Sequence, residues 1–125
     1  MDKIIMCGMS FYGYHGVLSQ ERELGQIFEV DVELYLDLRA AGENDDPEIT
    51  VSYADVYEVV RRVVTGRPRN LIETVAESVA ARILNGFPVR EALVRVKKPA
   101  APVPGQFGHM GVEIRRVSEQ AGESL

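Results

Sequence analysis

Four side chains spread along the sequence, Glu21, Tyr53, Glu73 and Lys98, are of the types that move protons and grip a flat polar ligand. Tyr53 follows Ser52 at the expected start of a helix. There its phenol either covers the helix end or shuttles a proton, the second only if a neighbouring cation eases its deprotonation. Lys98 is a candidate for that cation. It ends an alternating segment and precedes Pro99, which restricts its backbone; its alternative is to face solvent. Lys97 points to the opposite side of the same segment. Glu73 closes the run "NLIE", which fits an N-cap asparagine, Asn70, and a glutamate three positions on that accepts the cap backbone N–H. The positive helix end keeps such a carboxylate ionised, and its two oxygens also suit a planar ligand with two parallel N–H groups. Glu21, one of three charges in "LSQERELG", reads by itself as a solvated loop residue.

The hexamer "FYGYHG" at residues 11–16 concentrates aromatic rings, a histidine and glycines. It fits a tightly packed, glycine-bent turn, a ligand wall or part of a metal site. The last is the poorest fit. His15 and His109 are the only histidines, and Cys7, the one residue that could join them, lies in an apolar stretch. Neither H-x-H nor H-E-x-x-H occurs, and catalytic zinc ordinarily takes three protein ligands. A nucleophile elbow, a phosphate-binding P-loop and a dinucleotide fingerprint are equally missing. No metal and no cofactor is expected.

The elements that must position these residues follow from periodicity. Residues 3–9 suit a first strand. Over residues 28–38, Phe28, Val30, Val32, Leu34, Leu36 and Leu38 alternate with mostly charged positions, as in a half-buried antiparallel strand. "AAGENDDPEIT" breaks that pattern. Helical spacing takes over at Val56, Val59, Val60 and Val63, with Ser52 and Asp55 in a capping arrangement, and "TGRPR" ends the run. A second helix starts at "NLIETVAESVAARIL", in which the small Ala76 and Ala80 permit close packing. Strands at 91–98 and 110–117 follow, joined by the proline-rich "PAAPVPGQFG". The order is two strands, two helices, two strands: an α+β domain whose sheet leaves open edges for pairing between subunits.

With 125 residues, 46% of them hydrophobic, the chain suits one domain over residues 1–117, followed by a flexible C-terminal tail at 118–125. A net charge of -5 disfavours a nucleic-acid surface, and Arg61, Arg62, Arg67 and Arg69 read as a solvated helix end. No apolar run approaches a membrane span, and the lone cysteine excludes an intrachain disulfide, so a cytoplasmic setting is expected.

Taken together, "GMSFYGYHGVLSQERELGQIFEVDV", "VSYADV", "NLIETVAESVA", "VRVKKPAAPVPG" and "GVEI" resemble the dihydroneopterin aldolases of the bacterial folate pathway, from about residue 3 to residue 117. The resemblance implies the tunnelling fold (T-fold): a four-stranded antiparallel sheet with two helices on one side, in β-β-α-α-β-β order, whose subunits join into an oligomeric barrel. It further implies a homo-octamer of two tetrameric rings with active sites between subunits. The implied substrate is 7,8-dihydroneopterin. Its retro-aldol cleavage gives 6-hydroxymethyl-7,8-dihydropterin and glycolaldehyde, with C2' epimerisation alongside. On this resemblance Glu73 anchors the pterin edge beside the Ile72 backbone, and Val51 and Tyr53 form the other pocket segment. Glu21, Tyr53 and Lys98 order the side chain, water and proton transfers. Related metal-dependent pterin enzymes use ligand clusters that this sequence lacks. Pro99 after Lys98, and Lys97 beside it, vary the common loop pattern. Two alternatives stand beside cleavage: an epimerase acting on dihydroneopterin or its triphosphate, and a non-catalytic pterin-binding oligomer.

Overall fold

The computed structural model describes residues 1–119. Alternation in the second strand builds the molecule. β1 (Lys3–Gly13) and β2 (Gln26–Tyr35) form an antiparallel pair, and β2 sends Phe28, Val30, Val32 and Leu34 to one face, where all four are fully buried. Its other face carries Glu29, Asp31, Glu33 and Tyr35. β3 (Glu91–Lys98) lies against β2 with Val30 opposite Val96 and Val32 opposite Val94, and β4 (Met110–Val117) completes the antiparallel order β1-β2-β3-β4. Both later strands run as their periodicity predicts.

Four helices occur among the described residues rather than the two expected, because two short ones escape any periodicity. These are α1 (Ser19–Leu24) and α2 (Arg39–Asn44), with a 3-10 turn at Pro47–Ile49. Six residues give no apolar stripe, and the residue preceding α1 is Leu18, with no side-chain cap. The long helices are α3 (Tyr53–Val64) and α4 (Ile72–Gly86). Val56, Val60 and Val64 of α3, with Val75, Ala76, Val79, Ala80 and Ile83 of α4, close over the apolar sheet face. α3 covers the β1 side and α4 the β3–β4 side. Burial of those valines offsets their weak intrinsic helix preference.

Three local expectations need correction. β1 does not stop at residue 9. It passes a register shift between Met6 and Met9, with Gly8 at a φ of 71°, and continues through Phe11 to Gly13, so the first half of the aromatic hexamer is strand. β2 ends at Tyr35, and Leu36 and Leu38 still reach the core from the following turn. The Asn70–Glu73 capping box does not form. Leu71 is the N-cap of α4, without a side-chain hydrogen bond, and Asn70 Oδ1 instead accepts from Arg22. The cap at Ser52 forms as read, its Oγ accepting the Asp55 N–H.

Ser118, the first residue of the expected tail, donates its N–H to Arg90 O at 2.8 Å; the tail beyond Glu119 lies outside the described residues. Among the described residues no helix is long and apolar enough to cross a membrane. The sheet order, with both long helices on one face, is the tunnelling-fold protomer.

Candidate functional site

Strand alternation decides which way Lys98 points. It shares a face with Ala92, Val94 and Val96, so it lies on the helix side, just past the end of the core. There its ammonium lies 2.7 Å from Glu21 Oε2, and both side chains are largely withdrawn from water. Glu21 is therefore a buried ion-pair partner on a short helix, not the solvated loop charge its neighbours suggested. Gln26 Nε2 donates to the same oxygen at 2.9 Å, and the Leu18 N–H reaches Oε1 at 3.4 Å. Burial pushes the carboxyl pKa up, but the Lys98 ammonium, the Leu18 amide and Gln26 outweigh it and hold Glu21 below its ordinary value. Gln26 Oε1 has no partner among the described residues, which leaves a bare acceptor beside the ion pair. Nothing in the sequence marks Gln26, since a glutamine opening a strand carries no motif.

The second half of the hexamer shapes this end of the molecule. Gly16 has a φ of 152°, and a Cβ there would stand 2.3 Å from the Glu21 carboxyl carbon, so only glycine lets the carboxylate settle where it is. His15 is fully buried, packs edge-on to Phe28 at 5.2 Å between centroids, and bonds through both ring nitrogens to backbone. That occupation leaves neither nitrogen for a metal. Among the described residues no three His, Cys, Asp or Glu side chains gather at metal-holding spacing.

The α3–α4 turn brings the other expected residues to the same end. Gly16 N–H donates to Arg69 O at 2.9 Å, which ties the loop before α1 to the turn before α4. Ile72 packs against the core in the first turn of α4, and Glu73 follows it, exposed. Glu21, Lys98, Ile72 and Glu73 thus share one end of the helical layer.

Val51 and Tyr53 do not. Val51 is buried before α3, and Tyr53 opens that helix, 67% exposed, in an apolar groove of about 440 Å³ with Ile5, Met6, Cys7, Met9 and Tyr57. α3 is 12 residues long, so Tyr53 is roughly 17 Å along its axis from Val64, which touches His15. Among the described residues no hydrogen bond links Tyr53 to Glu21 or Lys98. The expected set therefore divides: Val51 and Tyr53 lie at the β1 edge, while Glu21, Lys98 and the Ile72–Glu73 start of α4 lie at the opposite end.

On the helix-free face, Asp31 Oδ1 accepts the Gly8 N–H at 2.8 Å, and Oδ2 meets Arg95 at 2.9 Å and Lys97 at 3.1 Å. Burial raises its pKa, yet these donors bring it down to about 2. Lys97 is thereby engaged away from Lys98. Arg61 and Arg62 pair with Glu58 on the exposed side of α3, as a solvated helix end does.

A family model described as FolB, dihydroneopterin aldolase, matches residues 4–115. The dihydroneopterin aldolase of Bacillus subtilis (strain 168) is 47% identical over 117 residues, spanning 93% of this chain and 98% of that protein. Dihydroneopterin aldolase 1 of Arabidopsis thaliana is 42% identical over 117 residues, 92% of this chain and 80% of that one. Among solved structures, E. coli dihydroneopterin aldolase in complex with neopterin superposes with a TM-score of 0.86 at 33% identity, covering 93% of this chain and 99% of that one.

Proposed function

The chain belongs to the dihydroneopterin aldolase family, and from that premise we propose that its divided residue set is completed across two protomers, where it cleaves 7,8-dihydroneopterin. The protein is a carbon–carbon lyase. It breaks the C1'–C2' bond by a retro-aldol reaction, giving 6-hydroxymethyl-7,8-dihydropterin and glycolaldehyde. The separation of the two half-sites, one at the β1 edge and one at the far end of the helical layer, carries the two-protomer reading: a head-to-tail neighbour sets the Tyr53 groove of one protomer against the Lys98 end of the next. A homo-octamer of two tetrameric rings would close both sheet edges in this way. The lone Cys7 suits a reducing cytoplasm.

Chemistry follows from the substrate as much as from the protein. The 2'-hydroxyl loses its proton and the C1'–C2' electron pair moves into the dihydropterin C=N bond, with N5 gaining a proton. C1' then takes a proton while N5 gives its proton up, which restores the C=N bond of the product. The ring is its own electron sink, so Lys98 need not form a Schiff base. Its ammonium, balanced by Glu21, relays protons and stabilises developing charge. Tyr53 of the adjacent protomer serves the side-chain hydroxyl. Glu73 takes the amino-pyrimidinone edge with its two oxygens, beside the Ile72 backbone, and Val51 walls the opposite segment. Re-addition of the same intermediate to the opposite face of the glycolaldehyde carbonyl gives the C2' epimer, so epimerisation accompanies cleavage.

Incubating chelator-treated enzyme with dihydroneopterin, and following both glycolaldehyde and side-chain isomers, tests this reading. Chelation-resistant cleavage supports it. Isomerisation alone makes the protein an epimerase, and ligand binding without either product makes it a silent pterin binder.

A further inference from the structure

We propose that His15 is a positioning residue for this reaction: as a neutral imidazole it holds the loop before α1, and with it Glu21, in register with the turn that delivers Ile72 and Glu73. This rests on the roles proposed above for those residues. The ring is fully buried, with Nε2 2.7 Å from Val64 O and Nδ1 3.0 Å from the Arg69 nitrogen. A carbonyl only accepts and an amide N–H only donates, so Nε2 carries the proton and Nδ1 is bare. Further bonds join the same segments. Gly16 N–H reaches Arg69 O at 2.9 Å, Arg22 Nε donates to Gly16 O at 3.0 Å, and Arg22 Nη2 donates to Asn70 Oδ1. None belongs to a helix or sheet ladder. They set the spacing between the Glu21–Lys98 pair and the ligand-gripping start of α4.

A second ring proton would undo this arrangement, because Nδ1–H would then confront the Arg69 N–H. The surroundings oppose that proton. α3 offers only the Val64 carbonyl and β2 only the Phe28 edge, while Arg69 of the turn, Arg22 of α1 and Lys98 of β3 are cations. Glu21, the nearby carboxylate, is engaged by Lys98. Burial, and then those cations, outweigh the bond to Val64 and keep the ring neutral below the ordinary value of 6.5. The lock is closed at neutral pH and opens in acid.

The test uses the full assembled chain. Two-bond 1H–15N spectra report the His15 tautomer and its titration. The expected result is an Nε2–H tautomer that protonates only below the ordinary histidine range; an Nδ1–H tautomer, or titration at or above that range, overturns the proposal. In parallel, kcat is measured per pterin site, with sites counted by titration with 6-hydroxymethyl-7,8-dihydropterin. His15→Phe fills the space without an acceptor, whereas His15→Asn puts an oxygen where Nδ1 stood. His15→Phe should lose about tenfold or more in kcat per site with product affinity within about threefold, since misplacement penalises chemistry before capture. His15→Asn should recover most of that loss and shed the acid limb of kcat that histidine titration imposes. Unchanged kcat per site in His15→Phe overturns the proposal, as does His15→Asn no better than His15→Phe or with its acid limb intact. If His15→Phe does not fold, the tautomer and the His15→Asn profile decide. Wild-type protein that binds product yet never cleaves defeats the functional reading instead, and the spectra then judge the lock alone.

Discussion

Removing the ammonium of Lys98 leaves a carboxylate stranded in a nearly dry pocket, so the ion pair is sensitive to loss of either member. Lys98→Ala should lower kcat by roughly 10²–10⁴, the range for a lost proton-transfer group. It should leave the assembled size seen by analytical ultracentrifugation unchanged; wild-type turnover in this variant would remove Lys98 from the mechanism. Among the described residues the Glu73 carboxylate has no hydrogen-bond or ion-pair partner, so Glu73→Ala should act on capture. A charged hydrogen-bond acceptor contributes about 1.5–3 kcal/mol, so pterin affinity should weaken by roughly 10- to 100-fold, as read by fluorescence titration. Unchanged affinity would show that the pterin edge lies elsewhere. Of these residues the sequence conveyed identity more readily than setting. Glu21 looked solvated because its partners, Lys98 and Gln26, are distant in sequence or carry no motif.

At the scale of elements, the legible parts were those whose signal is periodic. β2 and β3 follow from alternation, and the start of α3 from its serine cap. α1 and α2 are too short for a stripe to emerge, and the bulge at Gly8 hides the continuity of β1. The false capping box at Asn70 arose because Arg22, from another segment, competes for the same side-chain oxygen. That bulge also makes an acid-sensitive joint. Asp31 accepts the Gly8 amide, and its pKa of about 2 lies under the ordinary 3.8. A depressed carboxyl pKa stabilises the fold above the unfolded value and loses that contribution as pH falls through the folded one. The contribution is about 2 kcal/mol, lost between roughly pH 4 and pH 2. Urea midpoints should fall over that window in wild type and stay flatter in Asp31→Asn; equal slopes would deny the joint its role.

For the whole molecule, the decisive feature is the length of α3, which keeps Tyr53 away from Lys98 in any one protomer. Tyr53→Phe and Lys98→Ala proteins, each crippled alone, should complement one another when dissociated and reassembled together. Random mixing at equal amounts restores about a quarter of the sites, because one site in four unites the intact tyrosine of one parent with the intact lysine of the other. Mixed enzyme no more active than its parents would confine the whole site to a single protomer.

The same geometry alters what damage costs. Under head-to-tail closure a protomer owes its groove to one neighbour and its ammonium to the other. A subunit defective in both therefore silences two catalytic chambers rather than one. In a cell expressing sound and faulty copies side by side, output would fall more steeply than the proportion of faulty chains, so a recessive-looking lesion would behave as a partly dominant one.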